Sequence, residues 1–260
     1  MAAEATARPP ARVTDRYDGE TAASIAARLG LPAVHLYASI SSTMDAAHAL
    51  GRAGAPAGTL IIADEQTAGR GRQGGTWRSA PARGIWLTLL ERPADATGLD
   101  VLSLRVGLAA ACALDAFADA LVQVKWPNDL FVAGGKVAGL LVEARWHGAR
   151  PDWVALGLGV NLRAPADVPG AAALREGTAR LDVLLGPLVP AIRGAAARRG
   201  PLDTHELTDY AARDYARGRR CVTPARGVVD GVTATGELAV RTAGGMEYHR
   251  GGSLLLEEGA

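Results

Sequence analysis

The chain has 260 residues, 28 basic against 27 acidic side chains, and a 48% hydrophobic content. That is material for one large domain, or one domain with a small companion, around an ample core. A formal charge of +1 excludes a global field that gathers nucleic acid or an anionic membrane; no apolar run approaches the ~18 residues of a membrane span, and the opening MAAEATARPPAR has no apolar signal-peptide core.

Residues 1–33 read as a frayed Ala/Pro/Arg arm and a short helix over 18–30, which stops at Gly30 before Pro32. Residues 34–40 are strand-like, and Ser42-Thr43 opens a helix to about Arg52 under a hydroxyl cap. An apolar strand over 59–63 runs into a loop rich in glycine and arginine, and 85–90 is another strand. Residues 100–120 have helical periodicity, with Val101, Leu104, Leu108, Ala111 and Leu114 on one face. Three strands over 122–126, 137–144 and 153–160, joined by short turns, predict antiparallel hairpins. Helices are predicted over 181–198 and 205–217. From Arg220 short strands split by glycines predict a five-stranded barrel or sandwich. The expected class is α+β, a mixed or antiparallel sheet with flanking helices, with a boundary near Arg217.

Composition points to particular residues. All basic positions but Lys125 and Lys136 are arginine, and Asn128 and Asn161 are the only asparagines. Lysine presents a compact point charge where the guanidinium fork does not fit, so two lysines in one interval, one of them beside an asparagine in Lys125-Trp-Pro-Asn-Asp129, mark a candidate site. Pro127 fixes a turn there, and the Gly-Gly turn before Lys136 lets a hairpin bring both lysines together. Asp129 reads equally as a site carboxylate or a salt-bridge partner; Glu143 reads as a salt-bridge partner. The stretch from Gln66 to Trp77 holds four glycines within seven residues, so that backbone N–H groups can converge on an anion. Arg70 and Arg72 add charge-assisted donors, and Trp77 can close over a flat ring; the same composition also fits a flexible surface loop. Gly157-Leu-Gly-Val-Asn161 lets a ligand or backbone approach a strand, and lacks the third glycine and helix of a dinucleotide fingerprint. Ser41 to Asp45 caps a helix or binds a small polar ligand. The five histidines have no ligand spacing, Cys112 and Cys221 read as reduced thiols, and Trp86, Trp146 and Trp153 read as core or strand-face residues.

Taken in series, these stretches resemble the biotin protein ligases. The family's Ser-Thr before a helix is Ser42-Thr43, its Gly-Arg-Gly-Arg loop is Gly69 to Arg72 between Gln66 and Trp77, and its Lys-Trp-Pro-Asn-Asp is Lys125 to Asp129. Its Gly-Lys-x-x-Gly-Ile-Leu-x-Glu is similar to Gly135 to Glu143, and its Gly-x-Gly-x-Asn is Gly157 to Asn161. The resemblance covers about Val34 to Glu258. It implies a class II synthetase-like catalytic domain over 34–217, binding biotin and ATP, and an SH3-like C-terminal β-barrel over 218–260. It implies formation of biotinyl-5′-AMP from biotin and Mg²⁺-ATP, then transfer of biotin to a lysine of a biotin carboxyl carrier protein domain of a carboxylase.

In that chemistry two anions must meet, so cations are needed against their repulsion. Lys125 and Arg72 are the implied catalytic residues. Ser42, Thr43, Met44, Gln66, Gly69, Arg70, Gly71, Arg72, Lys125, Gly157 and Gly159 are implied on biotin, and Arg70, Arg72, Trp77, Asn128, Lys136 and Asn161 on ATP. Mg²⁺ would be held largely by triphosphate oxygens, with no protein ligand assigned. The sequence departs from the family at Gly75, usually Arg or Asn, and at Met44, usually Asn. About 33 residues before the first catalytic strand leave no room for a winged helix, so the expectation is a monofunctional, cytoplasmic ligase, monomer or homodimer, without nucleic-acid or membrane partners. Competing readings are a lipoate–protein ligase, a biotin-responsive repressor and an inactive binding relative.

Overall fold

The computed structural model describes residues 10–257; the first nine residues of the predicted arm, and Glu258, lie outside the described residues. Three two-residue strands open the chain: β1 (Arg12–Val13), β2 (Arg16–Tyr17) and β3 (Glu20–Thr21). Helix α1 (Ala22–Leu29) starts four residues later than predicted, because Asp18-Gly19 turn the β2–β3 hairpin and Thr21 is the cap, accepting from Ser24 N. Gly30, at φ 62°, closes it as predicted. Strand β4 (Ala33–Ser39), α2 (Thr43–Arg52), β5 (Thr59–Ala63) and β6 (Gly84–Glu91) follow close to their expected bounds.

Helix α3 (Leu102–Leu114) gives way to a 3₁₀ turn at Asp115–Phe117 instead of running to residue 120. The Asp115 carboxylate accepts from Val122 N and Arg213, and ties the chain back at that point. Four strands then stand where three were predicted: β7 (Gln123–Lys125), β8 (Asp129–Val132), β9 (Gly135–His147) and β10 (Arg150–Asn161). The predicted helix over 181–198 is interrupted. Between α4 (Arg180–Val183) and α5 (Val189–Ala196) lies a π turn, where Gly186 leaves helical geometry and Pro187 has no N–H to donate. Helix α6 (Thr204–Arg213) opens on a capping box of Asp203 and Glu206.

Eight strands form one mixed sheet in the order β1-β4-β5-β6-β10-β9-β8-β7, parallel only at β4–β5. Strand alternation divides its faces. Leu60 and Ile62 of β5, and Leu156, Leu158 and Val160 of β10, join the main core with α1, α3, α5 and α6. Ile61 and Ala155, pointing the other way, meet Met44 and Ala47 of α2. The helical side carries a buried ion pair, Arg105 Nε to Glu206 Oε1 at 2.6 Å, with Arg105 also donating to Gly200 O and Pro201 O.

The C-terminal strands β11 (Arg220–Thr223), β12 (Gly227–Val232), β13 (Leu238–Thr242), β14 (Gly245–His249) and β15 (Leu255–Leu256) form an antiparallel sheet in the order β14-β13-β12-β11-β15. The predicted barrel is therefore corrected to an open sheet among the described residues. β15 is two residues long and pairs with β11 alone, so β14 keeps a free edge. No helix among the described residues is long and apolar enough to cross a membrane.

Candidate active site

The face of the sheet under α2 has a floor with three glycines. Gly157 of β10 pairs with Leu141 and Thr88, and Gly159 with Gly139 and Trp86, so Gly139, Gly157 and Gly159 share this face. Above them is a cleft of about 330 Å³. Its walls are the start of α2, the loop from Arg70 to Trp77, the β7–β8 hairpin, Lys136, and residues 253–255 of the C-terminal sheet. Stretches far apart in the chain thus converge on one hollow.

One wall is a hydrogen-bonded ladder. Thr88 Oγ1 donates to Thr43 Oγ1 at 2.8 Å, and Thr43 donates to Gln66 Oε1 through its N–H at 2.9 Å and its hydroxyl at 3.1 Å. Gln66 Nε2 donates to Ser79 Oγ at 2.8 Å. Thr43, Met44 and Gln66 line the cleft, whereas Ser42 is fully buried as the cap of α2, accepting from Met44 N. The Ser-Thr pair therefore divides its work: the serine makes the helix and the threonine faces the hollow.

The glycine–arginine loop is folded on itself. Gly71 N donates to Gly75 O at 2.7 Å, Gly75 N to Arg72 O at 2.9 Å, and Trp77 N to Gly69 O at 2.9 Å. Gln73 and Gly74 take left-handed φ of 53° and 77° to close the turn. Gly69 lies on the outer side, lining a second hollow of about 640 Å³ rather than the cleft. Arg70 bridges Asp45 at 3.1 Å and Glu143 at 2.5 Å, so the expected salt-bridge role of Glu143 is what the structure has. Arg72 Nη1 donates to Asn128 Oδ1 at 3.3 Å and to Gly252 O at 3.2 Å. Ser253 Oγ donates to Gln73 Oε1 at 3.1 Å, so the C-terminal sheet grips the loop tip.

The opposite wall carries the lysines. Lys125 and Asp129 are direct partners across the β7–β8 hairpin and Asp129 pairs with Gly139, so alternation turns all three to the cleft face. Lys136 Nζ lies 2.7 Å from Asp129 Oδ1 and 5.2 Å from the centre of the Trp77 ring. Among the described residues Lys125 has no carboxylate within ion-pair distance; its Nζ lies 5.4 Å from the Phe131 ring centre. Burial lowers its pKa, Asp129 opposes that, and the charges of Lys136 and Arg219 add to it. Trp77 rests on Gly159 with its buried indole N–H unpartnered.

The asparagines are braces. Asn128 Nδ2 donates to Leu140 O at 2.7 Å, holding the hairpin against β9. Asn161, 4% exposed, donates to Ala172 O at 3.1 Å and lines the second hollow, outside the cleft. Asn128 lines the cleft, but both ends of its amide are engaged by protein groups. Residues 253–255 carry no chemical signal in the sequence and were not expected at the site. Trp86 and Trp153 are core residues, while Trp146 is 47% exposed at the protruding end of β9–β10. Among the described residues no three His, Cys, Asp or Glu side chains cluster as a metal site.

Residues 36–161 match the model of the biotin/lipoate A/B protein ligase family. The chain is 39% identical over 129 residues to the bifunctional ligase/repressor BirA of Bacillus spizizenii, an alignment covering 49% of this chain and 40% of that protein. It is 34% identical over 164 residues to the biotin–[acetyl-CoA-carboxylase] ligase of Paracoccus denitrificans, covering 60% and 61% of the two. The chain thus spans less than two thirds of the length of either relative. Its fold is shared with the Aquifex aeolicus biotin protein ligase solved in complex with biotin and ATP, at a TM-score of 0.72 and 23% identity over 86% of this chain and 98% of that one.

Proposed function

We propose, from the match of residues 36–161 to the biotin/lipoate A/B protein ligase family model, that the chain is an ATP-dependent biotin protein ligase. In the first step a biotin carboxylate oxygen attacks the α-phosphorus of ATP, the bond to the β-phosphate oxygen breaks, and pyrophosphate leaves. In the second, the amine of a carrier lysine attacks the carbonyl of biotinyl-5′-AMP, AMP leaves, and the amine gives up a proton as the amide forms.

The observation that carries the reading is the convergence of five short motifs on one cleft with a glycine floor, a threonine–glutamine wall and four cations, Arg70, Arg72, Lys125 and Lys136, around it. Glycines let a flat ligand approach the strands, and the cations offset the repulsion between carboxylate and triphosphate. Of the two lysines, Lys136 is the better placed to touch both anions. Its Nζ stands near Gly139 and Trp77 above the floor and is aimed by Asp129. Lys125, favoured from the sequence, adds a second charge that no carboxylate among the described residues meets at ion-pair distance, and Arg72 closes the side toward the C-terminal sheet. Thr43, Met44 and Gln66 with Gly157 and Gly159 would receive biotin; Trp77, Lys136 and the inner face of the arginine loop would receive the nucleotide. Ser42, Gly69, Asn128 and Asn161 act as supports for these groups.

Mg²⁺ would arrive with the triphosphate and be held mostly by its oxygens. The remainder of the reading is an acceptor carrier domain of a biotin-dependent carboxylase, a cytoplasmic setting, and an SH3-like identity for the C-terminal sheet. The test is pyrophosphate release by the purified chain with ATP and Mg²⁺. Release that depends on biotin supports the reading; release driven by lipoate and not by biotin replaces the substrate, and none with either overturns it.

A further inference from the structure

Behind Arg70, on the side away from the cleft, a chain of hydrogen bonds links α2, β9 and β10. Trp153 Nε1–H donates to His48 Nδ1 at 3.1 Å, and His48 Nε2 lies 2.7 Å from Glu143 Oε2. The other oxygen of Glu143 accepts from Arg70 Nη2 at 2.5 Å. An indole N–H only donates, so His48 Nδ1 must be the bare, accepting nitrogen and the ring proton sits on Nε2, where it donates to Glu143. An imidazolium would set two N–H groups against each other. The direction of every bond in the chain is therefore fixed by the one group that has no alternative.

The far end is rigid. Trp153 is 5% exposed and packs against α2 at Gly51, where a Cβ would come within 2.6 Å of the indole. Arg92 stands 5.8 Å from the Trp153 ring centre and donates to Gly51 O at 2.8 Å and Asp152 O at 3.1 Å, tying helix to strand. At the near end Glu143 has competitors for its charge. Arg52 and Arg145 line the same surface hollow as Arg70, so a Glu143 free to rotate has other cations to meet.

We infer that His48 is a positioning residue for Arg70, oriented by Trp153 and acting through Glu143. It holds the carboxylate toward the loop, and the carboxylate holds the guanidinium at the cleft. This rests on the ligase reading, in which Arg70 meets the substrate anions. Neither His48 nor Trp153 belongs to any of the five motifs.

Two measurements test it. In ¹⁵N-histidine NMR spectra, His48 assigned by its loss in His48→Gln must show the neutral Nε2–H tautomer at neutral pH. An Nδ1–H tautomer or an imidazolium overturns the inference, whatever substrate the protein takes. The second is a cycle of biotin-dependent pyrophosphate release. His48→Leu is expected to lower kcat/KM for biotin about tenfold, the effect of one charge-assisted hydrogen bond. His48→Gln, whose amide can still donate to Glu143, recovers most of that loss. In an Arg70→Leu background His48→Leu costs less than about twofold, since the group it positions is gone. A tenfold loss in both backgrounds marks a merely structural histidine and overturns the inference, as does a His48→Leu protein with wild-type kinetics. A wild-type protein without biotin-dependent release defeats the ligase reading instead, and the NMR measurement then decides the hydrogen-bond chain by itself.

Discussion

Replacing Gly159 by alanine places one methyl group in the floor of the cleft. The added carbon would lie 2.5 Å from Trp77 Cε2, against an ordinary carbon–carbon contact of about 3.5–4.0 Å, so the indole must retreat by about 1 Å. Strand β10 cannot yield, being paired along its length on both sides by β6 and β9. Trp77 is anchored at its backbone, whose N–H donates to Gly69 O in the folded arginine loop, and its ring also lies against Gly139. The loop must shift as a unit, taking Trp77 from its place 5.2 Å below Lys136. Overpacking of this kind costs about 1–3 kcal/mol, and charged to the bound state it lowers kcat/KM for ATP about 5- to 150-fold. Because a surface loop absorbs the strain, Tm should fall by no more than about 4 °C. Gly157→Ala is the matched control. Its carbon would meet Met44 Sδ at 2.7 Å, on a flexible side chain away from Trp77, so kcat/KM for ATP at saturating biotin should fall about twofold or less, the cost falling on KM for biotin. Pyrophosphate release at varied ATP, with thermal melts of both variants, decides it. A Gly159→Ala protein with wild-type constants, or equal losses at the two glycines, refutes the reasoning.

The two lysines are separable. Lys136→Met should slow adenylate formation by about 100-fold or more, as loss of a preorganised charge does, and Lys125→Met by about tenfold; the opposite order in single-turnover assays returns the central role to Lys125. Glu206→Gln leaves Arg105, 3% exposed, without its counter-charge and should cost about 3–5 kcal/mol in urea unfolding. Burial would raise the Glu206 pKa, but the Arg105 hydrogen bond and the Asp203 N–H outweigh it and hold it low. The stabilisation is therefore complete above the ordinary carboxylate value of about 4.3 and is lost as pH falls through the lower folded value, a loss that the glutamine variant should not show. Asp214 is the reverse case. Burial pushes its carboxyl up to about 6, so the folded protein binds the extra proton and stability falls as pH rises from about 4 to about 6. Asp214→Asn should flatten that part of a Tm–pH profile, and an unchanged slope would assign it to another group.

Elements with strong local signals could be read from the sequence. The caps at Ser42 and Gly30, the apolar runs of β5 and β6, and the hairpin punctuation of β9 and β10 each state their geometry within a few residues. What was missed depends on distant partners. β8 is four residues behind a turn and is a strand only because β7 and β9 flank it. The helix over 181–198 kept its periodicity, yet Gly186-Pro187 broke its hydrogen bonding. At the site, scarcity of lysine and asparagine led to a hairpin that lines the cleft, but residue type could not separate a cleft-facing group from a brace. Asn128 and Asn161 spend their amides on carbonyls whose positions only the fold determines. The ladder Thr88–Thr43–Gln66 and the reach of Ser253 to Gln73 likewise span sequence distances that no local pattern encodes.

The grip of Gly252 and Ser253 on Arg72 and Gln73 joins residues 180 apart in sequence, and it makes the C-terminal sheet a thermodynamic party to whatever enters the cleft. A ligand that binds more tightly when the arginine loop is clasped must, by reciprocity, strengthen the clasp by the same factor. Occupancy of the cleft is then written into the opening free energy of strands that make no contact with the ligand. Amide exchange in β11 and β12 becomes a gauge of ligand binding, and a substitution confined to the Gly251-Gly252 bend retunes affinity at a distance without altering a group in the cleft.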